Sequence, residues 1–333
     1  MRELGWDFPT WSLIQREIYT VPTTKTALCL SSPLQGCGIV FELSPPAQPG
    51  GAWTETTLYE FLRGTRPNLP PDPSGITVGP EGVLYGAGKS GGNASGDGFI
   101  FQLTPPKQAG VAWAYKVLYE FDGNSDGTGP TGYFVFDHKR NLYGTTIEGG
   151  ANYQSCDIWC GTAFELSPPA EKGGAWTKTI LHSFGGSATD GVYPYPGLII
   201  DKDGNLYGST YVNNGIVFEL SPPAAGGPWT ETILHSFTSS PDGSGPLGLA
   251  WGPNGILYGV TWHGGSEGGT VFQMKPPAQP GGTWTEGILD NFAPNDASTG
   301  TQPASNVVYK SGAIYGGTLS GGDGGGVIYE VRP

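Results

Sequence analysis

The feature that most constrains this chain is a segment that recurs along it, shown most completely by residues 197–237. The segment holds four short runs rich in β-branched and aromatic residues, separated by turns rich in glycine, proline, asparagine and aspartate. Such runs predict strands, and the short turns between them predict an antiparallel meander. One meander cannot bury both of its faces by itself, so the copies are expected to pack on one another.

The same aromatic and glycine positions return from copy to copy. The third run carries an aromatic residue at intervals of 54 to 63 residues, and the fourth run begins with Trp and reaches Phe eight residues later. A fixed period of four short strands is typical of a β-propeller, in which each repeat forms one blade. The third-run aromatics are Phe41, Phe101, Phe164, Phe218, Phe272 and Tyr329, and the fourth-run tryptophans are Trp53, Trp113, Trp176, Trp229 and Trp284.

The number of runs predicts the number of blades. Six third runs but only five fourth runs follow the N-terminal segment 1–38, which matches the repeat poorly. We expect a single all-β domain over residues 1–333, with regular repeats over 39–333. The predicted fold is a six-bladed β-propeller of four-stranded antiparallel blades. A strand within residues 5–20 is expected to close the ring by pairing beside residues 326–331, and five blades are the alternative.

Composition argues against several classes of partner. The net charge of −13 argues against nucleic acid and against anionic membrane surfaces. No apolar run is long enough for a membrane span, and no signal peptide is visible in the sequence. We expect a monomer that binds neither nucleic acid nor membrane.

Four cysteines form two local pairs, Cys29 with Cys37 and Cys156 with Cys160, each in the connection before a third run. We expect two disulfides, which persist in oxidising compartments, and therefore an extracellular or periplasmic protein. A four-cysteine zinc site is an alternative, although neither spacing is C-x2-C. Buried free thiols are a further alternative.

Several phrases of the sequence resemble one known family. GNLYGST (204–210), VFELSPPA (217–224), WTETILHSF (229–237) and PDGSGP (241–246) resemble the GloVer tandem repeats of exported bacterial proteins, over about residues 38–333. The strand rhythm is also similar to that of NHL-type six-bladed propellers. The resemblance implies an exported propeller and supplies no catalytic residue.

Loops that vary between copies are where function is expected, whereas the nearly constant turn between the first and second runs indicates a structural role. The loop between the second and third runs holds Trp262 beside His263 in one copy. An aromatic ring that stacks on a pyranose face beside a titratable group is typical of a sugar site, and loop-to-loop packing is the alternative. Further candidate ligand-binding residues are Tyr193, Tyr195, Tyr211 and Trp251.

Loop carboxylates suggest a catalytic alternative. Glycoside hydrolysis needs two carboxyl groups at a set separation, so Glu148 with Asp190 or Asp242 is a candidate pair. His263 is the candidate catalytic imidazole. The alternative for each aspartate is that it only closes its own turn before a proline.

A metal site is a further hypothesis. Asp122, Asn124 and Asp126 resemble the first half of an EF-hand loop, and oxygen ligands of this kind suit Ca²⁺. The position where an EF-hand has its last glutamate holds Tyr133 instead.

The sequence therefore predicts an extracytoplasmic β-propeller that binds a glycan or another polyhydroxylated ligand on its variable-loop face. The second hypothesis is a carbohydrate-active enzyme, a glycoside hydrolase or polysaccharide lyase, that uses loop carboxylates. The third is a Ca²⁺-dependent lactonase-like hydrolase, because such six-bladed enzymes place a metal at the channel mouth. Two carboxyl groups in one pocket, or a metal with an open coordination position, would distinguish an enzyme from a binding protein.

Overall fold

The structure is a computed structural model, and the part of the chain that it describes consists of short antiparallel strands and turns. Three single-turn 3-10 helices, Pro80–Gly82, Asn124–Asp126 and Pro253–Gly255, join strands. Among the described residues, no helix has the length and apolar character needed to cross a membrane. The described residues are 17–22, 38–46, 48, 50–61, 73–108, 110–156, 160–171, 173–224, 226–279, 281–293, 300–304, 306–322 and 325–333.

Two antiparallel sheets make up the first of two compact units, Met1–Phe121. One sheet has three strands and the other has four, and neighbours in space are neighbours in sequence, as expected for a meander. The strands are β1 (Glu17–Pro22), β2 (Gly38–Ser44) and β3 (Thr54–Glu60) in the first sheet, and β4 (Pro73–Val78), β5 (Leu84–Gly88), β6 (Phe99–Thr104) and β7 (Ala114–Glu120) in the second.

Four antiparallel sheets make up the second unit, Asp122–Pro333. In two of them the innermost strand is split into two short pieces that pair with the same neighbour. The strands are β8 (Thr128–Pro130), β9 (Val135–Phe136), β10 (Leu142–Glu148), β11 (Thr162–Ser167) and β12 (Thr177–Ser183); β13 (Val192–Ile200), β14 (Leu206–Val212), β15 (Ile216–Ser221) and β16 (Thr230–Ser236); β17 (Ser244–Trp251), β18 (Leu257–His263), β19 (Thr270–Lys275) and β20 (Thr285–Asn291); and β21 (Thr301–Pro303), β22 (Val308–Lys310), β23 (Ala313–Ser320) and β24 (Ile328–Val331).

These sheets are the blades of a β-propeller, and the described residues form five blades of at least four strands. The prediction of six four-stranded blades is wrong, and the alternative count of five is confirmed. The reason lies in the N-terminal segment, because β1–β3 make a sheet of only three strands. A single domain over residues 1–333 stays a prediction.

The N-terminal strand does not take the predicted place. β1 pairs antiparallel with β2, from Glu17 opposite Leu43 to Pro22 opposite Gly38. The prediction that residues 5–20 pair beside the last strand is therefore wrong for residues 17–20, and residues 5–16 lie outside the described part. β2 needs an inner neighbour for its backbone groups, and β1 reaches it through a shorter loop than a strand from the far end of the chain.

Repeated aromatic residues make the contact between consecutive blades. Phe218 of β15 is fully buried, and its ring centroid lies 5.0 Å from that of Phe184, which follows β12 of the preceding blade. Phe237 and Phe272 repeat this contact at 5.2 Å. A Cβ atom on Gly208 would lie 2.5 Å from Cζ of Phe218, so the ring explains why glycine follows tyrosine in each second run.

A bulge in the outer strand sets which side chains face the next blade. Ala163 of β11 pairs with His182, whereas Phe164 pairs with Ile180, so Leu181 is an extra residue in β12. Equivalent register shifts occur between the last two strands of four other sheets. The residue after the bulge therefore occupies the equivalent position in the outer strand of each of these blades.

In two blades the turn between the first two strands is held by one aspartate. The carboxylate of Asp201 accepts the backbone N–H groups of Asp203 and Asn205 at 2.8 and 2.9 Å. It also accepts the Asn205 amide at 2.9 Å and the Tyr207 hydroxyl at 3.2 Å. Asp137 makes the same set of contacts in the preceding blade. The predicted structural role of these turns is confirmed.

Candidate functional site

Four of the predicted ligand-binding aromatics come together in the second unit. Tyr193 and Tyr195 lie on β13, Tyr211 on β14 and Trp262 on β18 of the next blade. Their ring centroids follow one another at 6.2 Å (Tyr193 to Tyr195), 6.1 Å (Tyr193 to Tyr211) and 6.3 Å (Tyr211 to Trp262). All four are half-buried, so each keeps part of its surface exposed. We call these four residues the aromatic wall.

The backbone around the aromatic wall is shaped to hold it. Tyr193 has φ +64°, a left-handed conformation that is uncommon for a residue with a Cβ atom, and its N–H donates to the Cys160 carbonyl at 3.0 Å. A Cβ atom on Gly245 would lie 2.8 Å from the Tyr211 ring, so glycine lets the chain pass close to that ring. The wall is therefore fixed by backbone contacts as well as by ring packing.

A predicted carboxylate borders the aromatic wall from the preceding blade. Glu148 is the last residue of β10 and is half-buried. Burial raises the pKa of the Tyr193 hydroxyl, and Tyr195, Glu148 and Tyr211 add to the increase. The phenol therefore stays protonated at neutral pH and is able both to donate and to accept a hydrogen bond.

The predicted imidazole lies at the other end of the wall. His263 is the last residue of β18 and is exposed, with its ring centroid 6.2 Å from that of Trp262. Its backbone carbonyl accepts the Thr261 hydroxyl at 2.9 Å, which holds the end of the strand. The wall thus spans two consecutive blades, with a carboxylate from the blade before them and an imidazole beside Trp262.

Trp251 is not brought together with the wall. It ends β17 directly before the turn, at the opposite end of the strand from Ser244. Its ring packs 4.9 Å from that of Tyr207, and its Nε1 donates to the Ile200 carbonyl at 3.1 Å. These contacts are those of a residue that packs two blades together.

The predicted catalytic Asp190 lies in a different environment, at the contact between the blade of β12 and the blade of β13–β16. Its Oδ1 is 2.9 Å from His182 Nε2, and its Oδ2 accepts the Gly186 N–H at 2.7 Å. His182 Nε2 is also 3.9 Å from Oε1 of Glu231 on β16. The structure therefore joins Asp190 to a histidine and a second carboxylate, and Asp190 also closes its own turn.

Asp242 repeats this arrangement one blade further on. Its Oδ1 is 3.2 Å from His235 Nε2, and its Oδ2 accepts the Thr238 N–H at 2.9 Å. Glu286 of β20 takes the place of the second carboxylate, and the three ligand atoms lie within 4.8 Å of one another, as they do in the first set. The two sets, His182–Asp190–Glu231 and His235–Asp242–Glu286, are called the junction clusters below.

Burial dominates the electrostatics of the junction clusters. It raises the pKa of Glu231 to about 7, with His182 opposing and Asp190 adding to the increase. Burial, with Asp242 adding to it, also raises the pKa of Glu286 to about 7. Burial lowers the pKa of His182, but its hydrogen bond to Asp190 and the charge of Glu231 outweigh this, so the net shift is upward.

The sequence reasoning missed both glutamates of the junction clusters. Glu231 and Glu286 stand two residues after Trp229 and Trp284, and they resemble exposed strand residues when one repeat is considered alone. A signal appears only when neighbouring repeats are compared. The repeat before each glutamate has a histidine in its fourth run, His182 before Glu231 and His235 before Glu286.

One of the predicted Ca²⁺ ligands, Asp126, contacts a buried ammonium. Asp126 Oδ2 accepts the Asp122 N–H at 3.1 Å, and its Oδ1 lies 2.8 Å from Lys178 Nζ. Lys178 also donates to the Asp126 carbonyl, and its side chain is only 3% exposed. Asn124 lies between them in a 3-10 turn. A Ca²⁺ ion bound to Asp126 would have to displace this lysine.

One of the two predicted disulfides is present. Cys156 and Cys160 are bonded in the loop between β10 and β11, next to the backbone contact that holds Tyr193. The pair Cys29 and Cys37 lies outside the described residues and stays a prediction.

The inner strands of the second unit enclose a small pocket. Tyr133, Gly197, Gly248 and Asn306 line it, and Asn306 Oδ1 is buried there without a hydrogen-bond partner. The pocket has a volume of about 30 Å³, which suits water but is far smaller than a site for a sugar ring. An extended ligand is better accommodated by the aromatic wall.

The strand order and repeated blade contacts define the class of protein, a β-propeller with an aromatic surface at its loop end. Its sequence matches the Gloeobacter/Verrucomicrobia repeat over residues 26–227, more than half of the chain. The chain belongs to this repeat family, which confirms the resemblance seen in the sequence. No curated protein matches it.

Solved structures share the fold at low sequence identity. A glucose dehydrogenase aligns with a TM-score of 0.55 and 14% identity over 98% of this chain and 99% of that one. A protein from Lactobacillus plantarum aligns with a TM-score of 0.53 and 19% identity over 96% and 82%. A candidate gluconolactonase aligns with a TM-score of 0.50 and 14% identity over 89% and 83%. At these identities the likeness establishes the propeller fold alone.

Proposed function

We propose that the chain is an extracytoplasmic binding protein whose aromatic wall holds a glycan or another polyhydroxylated ligand. The observation that carries the proposal is the continuous series of four half-buried rings, from Tyr195 through Tyr193 and Tyr211 to Trp262. Tyr195, Tyr211 and Trp262 also pack against a buried core cluster, yet each keeps part of its surface exposed.

The chemistry of the wall suits a sugar. Aromatic faces offer apolar area to the C–H face of a pyranose, while phenol hydroxyls bind its hydroxyl groups. Glu148 and His263 add an acceptor and a titratable donor at the two ends. The overall charge of −13 favours a neutral sugar over an acidic one.

Two further observations agree with this proposal. Two proteins with a similar fold carry names that refer to sugars, glucose dehydrogenase and gluconolactonase. The disulfide between Cys156 and Cys160 fits an oxidising compartment and supports an extracellular or periplasmic location. We expect a monomer in solution.

The enzymatic alternatives receive less support from the geometry. Asp190 and Asp242, the proposed partners of Glu148 in hydrolysis, are bonded to histidines and to backbone N–H groups of their own turns. A lactonase-like Ca²⁺ site at Asp126 would compete with Lys178. These contacts favour binding over catalysis.

The test is a glycan array followed by titration calorimetry with the full chain and the strongest glycan. Trp262→Ala should weaken binding at least tenfold, which corresponds to about 1.4 kcal/mol, because it removes one stacking surface. Trp53→Ala is the matched control, since Trp53 is 48% exposed and lies in the first unit. The control should bind as the unchanged protein does.

Two outcomes would contradict the proposal. One is binding to no glycan on the array, and the other is equal affinity for Trp262→Ala and the control. Release of reducing ends that disappears in Glu148→Gln would instead favour the glycoside hydrolase hypothesis.

A further inference from the structure

The two junction clusters are the part of the molecule that the proposed function leaves unexplained. In each, a histidine from the outer strand of one blade meets an aspartate from the following loop and a glutamate from the outer strand of the next blade. The aromatic wall uses none of these residues. The clusters are two copies of one arrangement, so the same chemistry is built twice.

The glutamates of the clusters carry an unsatisfied atom. Oε1 of Glu231 and Oε1 of Glu286 are both buried from solvent and have no hydrogen-bond partner. Leaving a buried carboxylate oxygen unpaired is costly, because the lost hydration is not replaced. The same orphaned atom at equivalent positions of two blades points to a missing electrophilic partner.

The third equivalent position shows what kind of partner the site takes. The residue that corresponds to the two glutamates is Lys178, whose ammonium contacts Asp126, the counterpart of Asp190 and Asp242. There, one positive charge neutralises one carboxylate. In each junction cluster a histidine and two carboxylates replace that pair, and they offer one nitrogen and two oxygen donors to a single cation.

We propose that each junction cluster binds one divalent first-row transition-metal ion of the Zn²⁺ class, through one imidazole nitrogen and two carboxylates. Imidazole with carboxylates suits Zn²⁺ and its neighbours in the series, whereas Ca²⁺ and Mg²⁺ favour sites built of oxygen alone. Three protein ligands leave a fourth position of a tetrahedral ion for water.

The observed geometry is close to that of such a site. Donor atoms at about 2.0–2.2 Å from a tetrahedral zinc ion lie about 3.3–3.6 Å from one another. In the first cluster His182 Nε2 lies 2.9 Å from Asp190 Oδ1 and 3.9 Å from Glu231 Oε1. Small side-chain rotations therefore suffice to place all three around one ion.

A bound ion would join the two blades at this edge through three ligands, in addition to the ion pair of His182 with Glu231. Because the ligands come from both blades, the ion binds the folded state and not the unfolded chain. Metal should therefore raise the melting temperature, by an amount that grows with the logarithm of the free metal concentration above the Kd.

The experiment uses the full chain after chelator treatment and removal of the chelator. Titration calorimetry with ZnCl₂ should give two ions per chain, and the melting temperature should rise with Zn²⁺ but not with equal CaCl₂. Glu231→Gln and Glu286→Gln should each reduce the stoichiometry to one, and the double variant should bind none. Glu171→Gln, which alters an exposed loop glutamate, is the matched control and should bind two.

Substitution with Co²⁺ gives an independent readout of the ligands. The visible spectrum of the Co²⁺ protein should be that of a four-coordinate nitrogen and oxygen site, and it should halve in intensity in each single variant. Zn²⁺ binding that survives in the double variant would overturn the proposal, because the ion would then be held elsewhere, for example by the exposed His263. Absence of Zn²⁺ binding would also overturn it and leave a proton shared between the carboxylates as the neutralising species.

Discussion

Asp126, Asp190 and Asp242 stand at the same position of three loops, yet their neighbours differ. Each accepts the N–H of the residue four positions earlier, which is a local and repeated contact. Their further neighbours come from the outer strand of the next blade. That neighbour is Lys178 for Asp126, whereas it is a glutamate for Asp190 and Asp242. At the scale of single residues, the repeat conserves the turn and varies the charge that faces it.

Replacing Lys178 tests the importance of that charge. Lys178→Met keeps the stem but removes the ammonium from Asp126, and the side chain of Lys178 is 3% exposed against 21% for Asp126. Because the pair is only partly buried, we expect a loss of about 2–3 kcal/mol in the free energy of unfolding, below that of a fully buried pair. Urea titration measures the change.

The matched control for this variant is Lys202→Met. Lys202 pairs with Asp203, but its side chain is 85% exposed, so the free energy of unfolding should remain almost unchanged. Equal losses for the two variants would show that burial does not set the strength of the Lys178 pair.

At the scale of the strand, side-chain contacts between strands and between blades explain why certain residues are repeated. The glycine after each second-run tyrosine makes room for the aromatic ring of the third run, as at Gly208 and Phe218. The bulge leucine in the outer strand is buried in the same way at Leu181 and Leu234. Strand type and order could therefore be predicted from the sequence, because these contacts impose the same residues on every copy.

Gly208→Ala tests this explanation directly. Its new methyl group would meet Phe218 at 2.5 Å inside a packed blade, so we expect a destabilisation of about 1–3 kcal/mol through overpacking. Gly287→Ala on β20 is the control, because its nearest neighbour would lie 3.6 Å away. If thermal melting shows the two variants to be equally stable, the Tyr-Gly repeat has another cause.

The loop between β10 and β11 carries the disulfide, which makes a second prediction at this scale. Cys156 and Cys160 close a very short loop, so replacing both with serine should cost about 2 kcal/mol in unfolding free energy at most. Thiol counting in denaturant without reductant should find no free thiol in the unchanged chain. Two reactive thiols would mean that one of the two predicted disulfides is absent, and four would contradict both.

At the scale of the whole molecule, prediction succeeded where the repeat is regular and failed where it is not. The segment before Gly38 lacks the repeated tyrosine, glycine and tryptophan spacing, so the sequence did not reveal that residues 17–22 pair with β2 or that five blades form. The aromatic wall was identifiable because Trp262 departs from its copies. The junction clusters were not, because Glu231 and Glu286 acquire partners only from a neighbouring blade.

Deleting residues 1–24 tests the role of the N-terminal strand. The truncation removes β1 and leaves the inner edge of β2 unpaired, next to the fully buried Val40. We expect self-association through that edge and a lower melting temperature. Size-exclusion chromatography and calorimetry measure both, and a monomer with unchanged melting would show that β1 is dispensable.

The contacts between blades differ, and this difference affects whether each blade docks on its correct neighbour during folding. Similar blades invite misassembly, because an outer strand can dock on the wrong neighbour. Here the first contact is a stack of Tyr59 on Tyr115 with centroids 5.1 Å apart, whereas later contacts set His182 against Glu231. A blade docked out of turn would bury a glutamate against a tyrosine, and that mismatch penalises the wrong order. The difference between these two edges thus favours the correct neighbour over the wrong one.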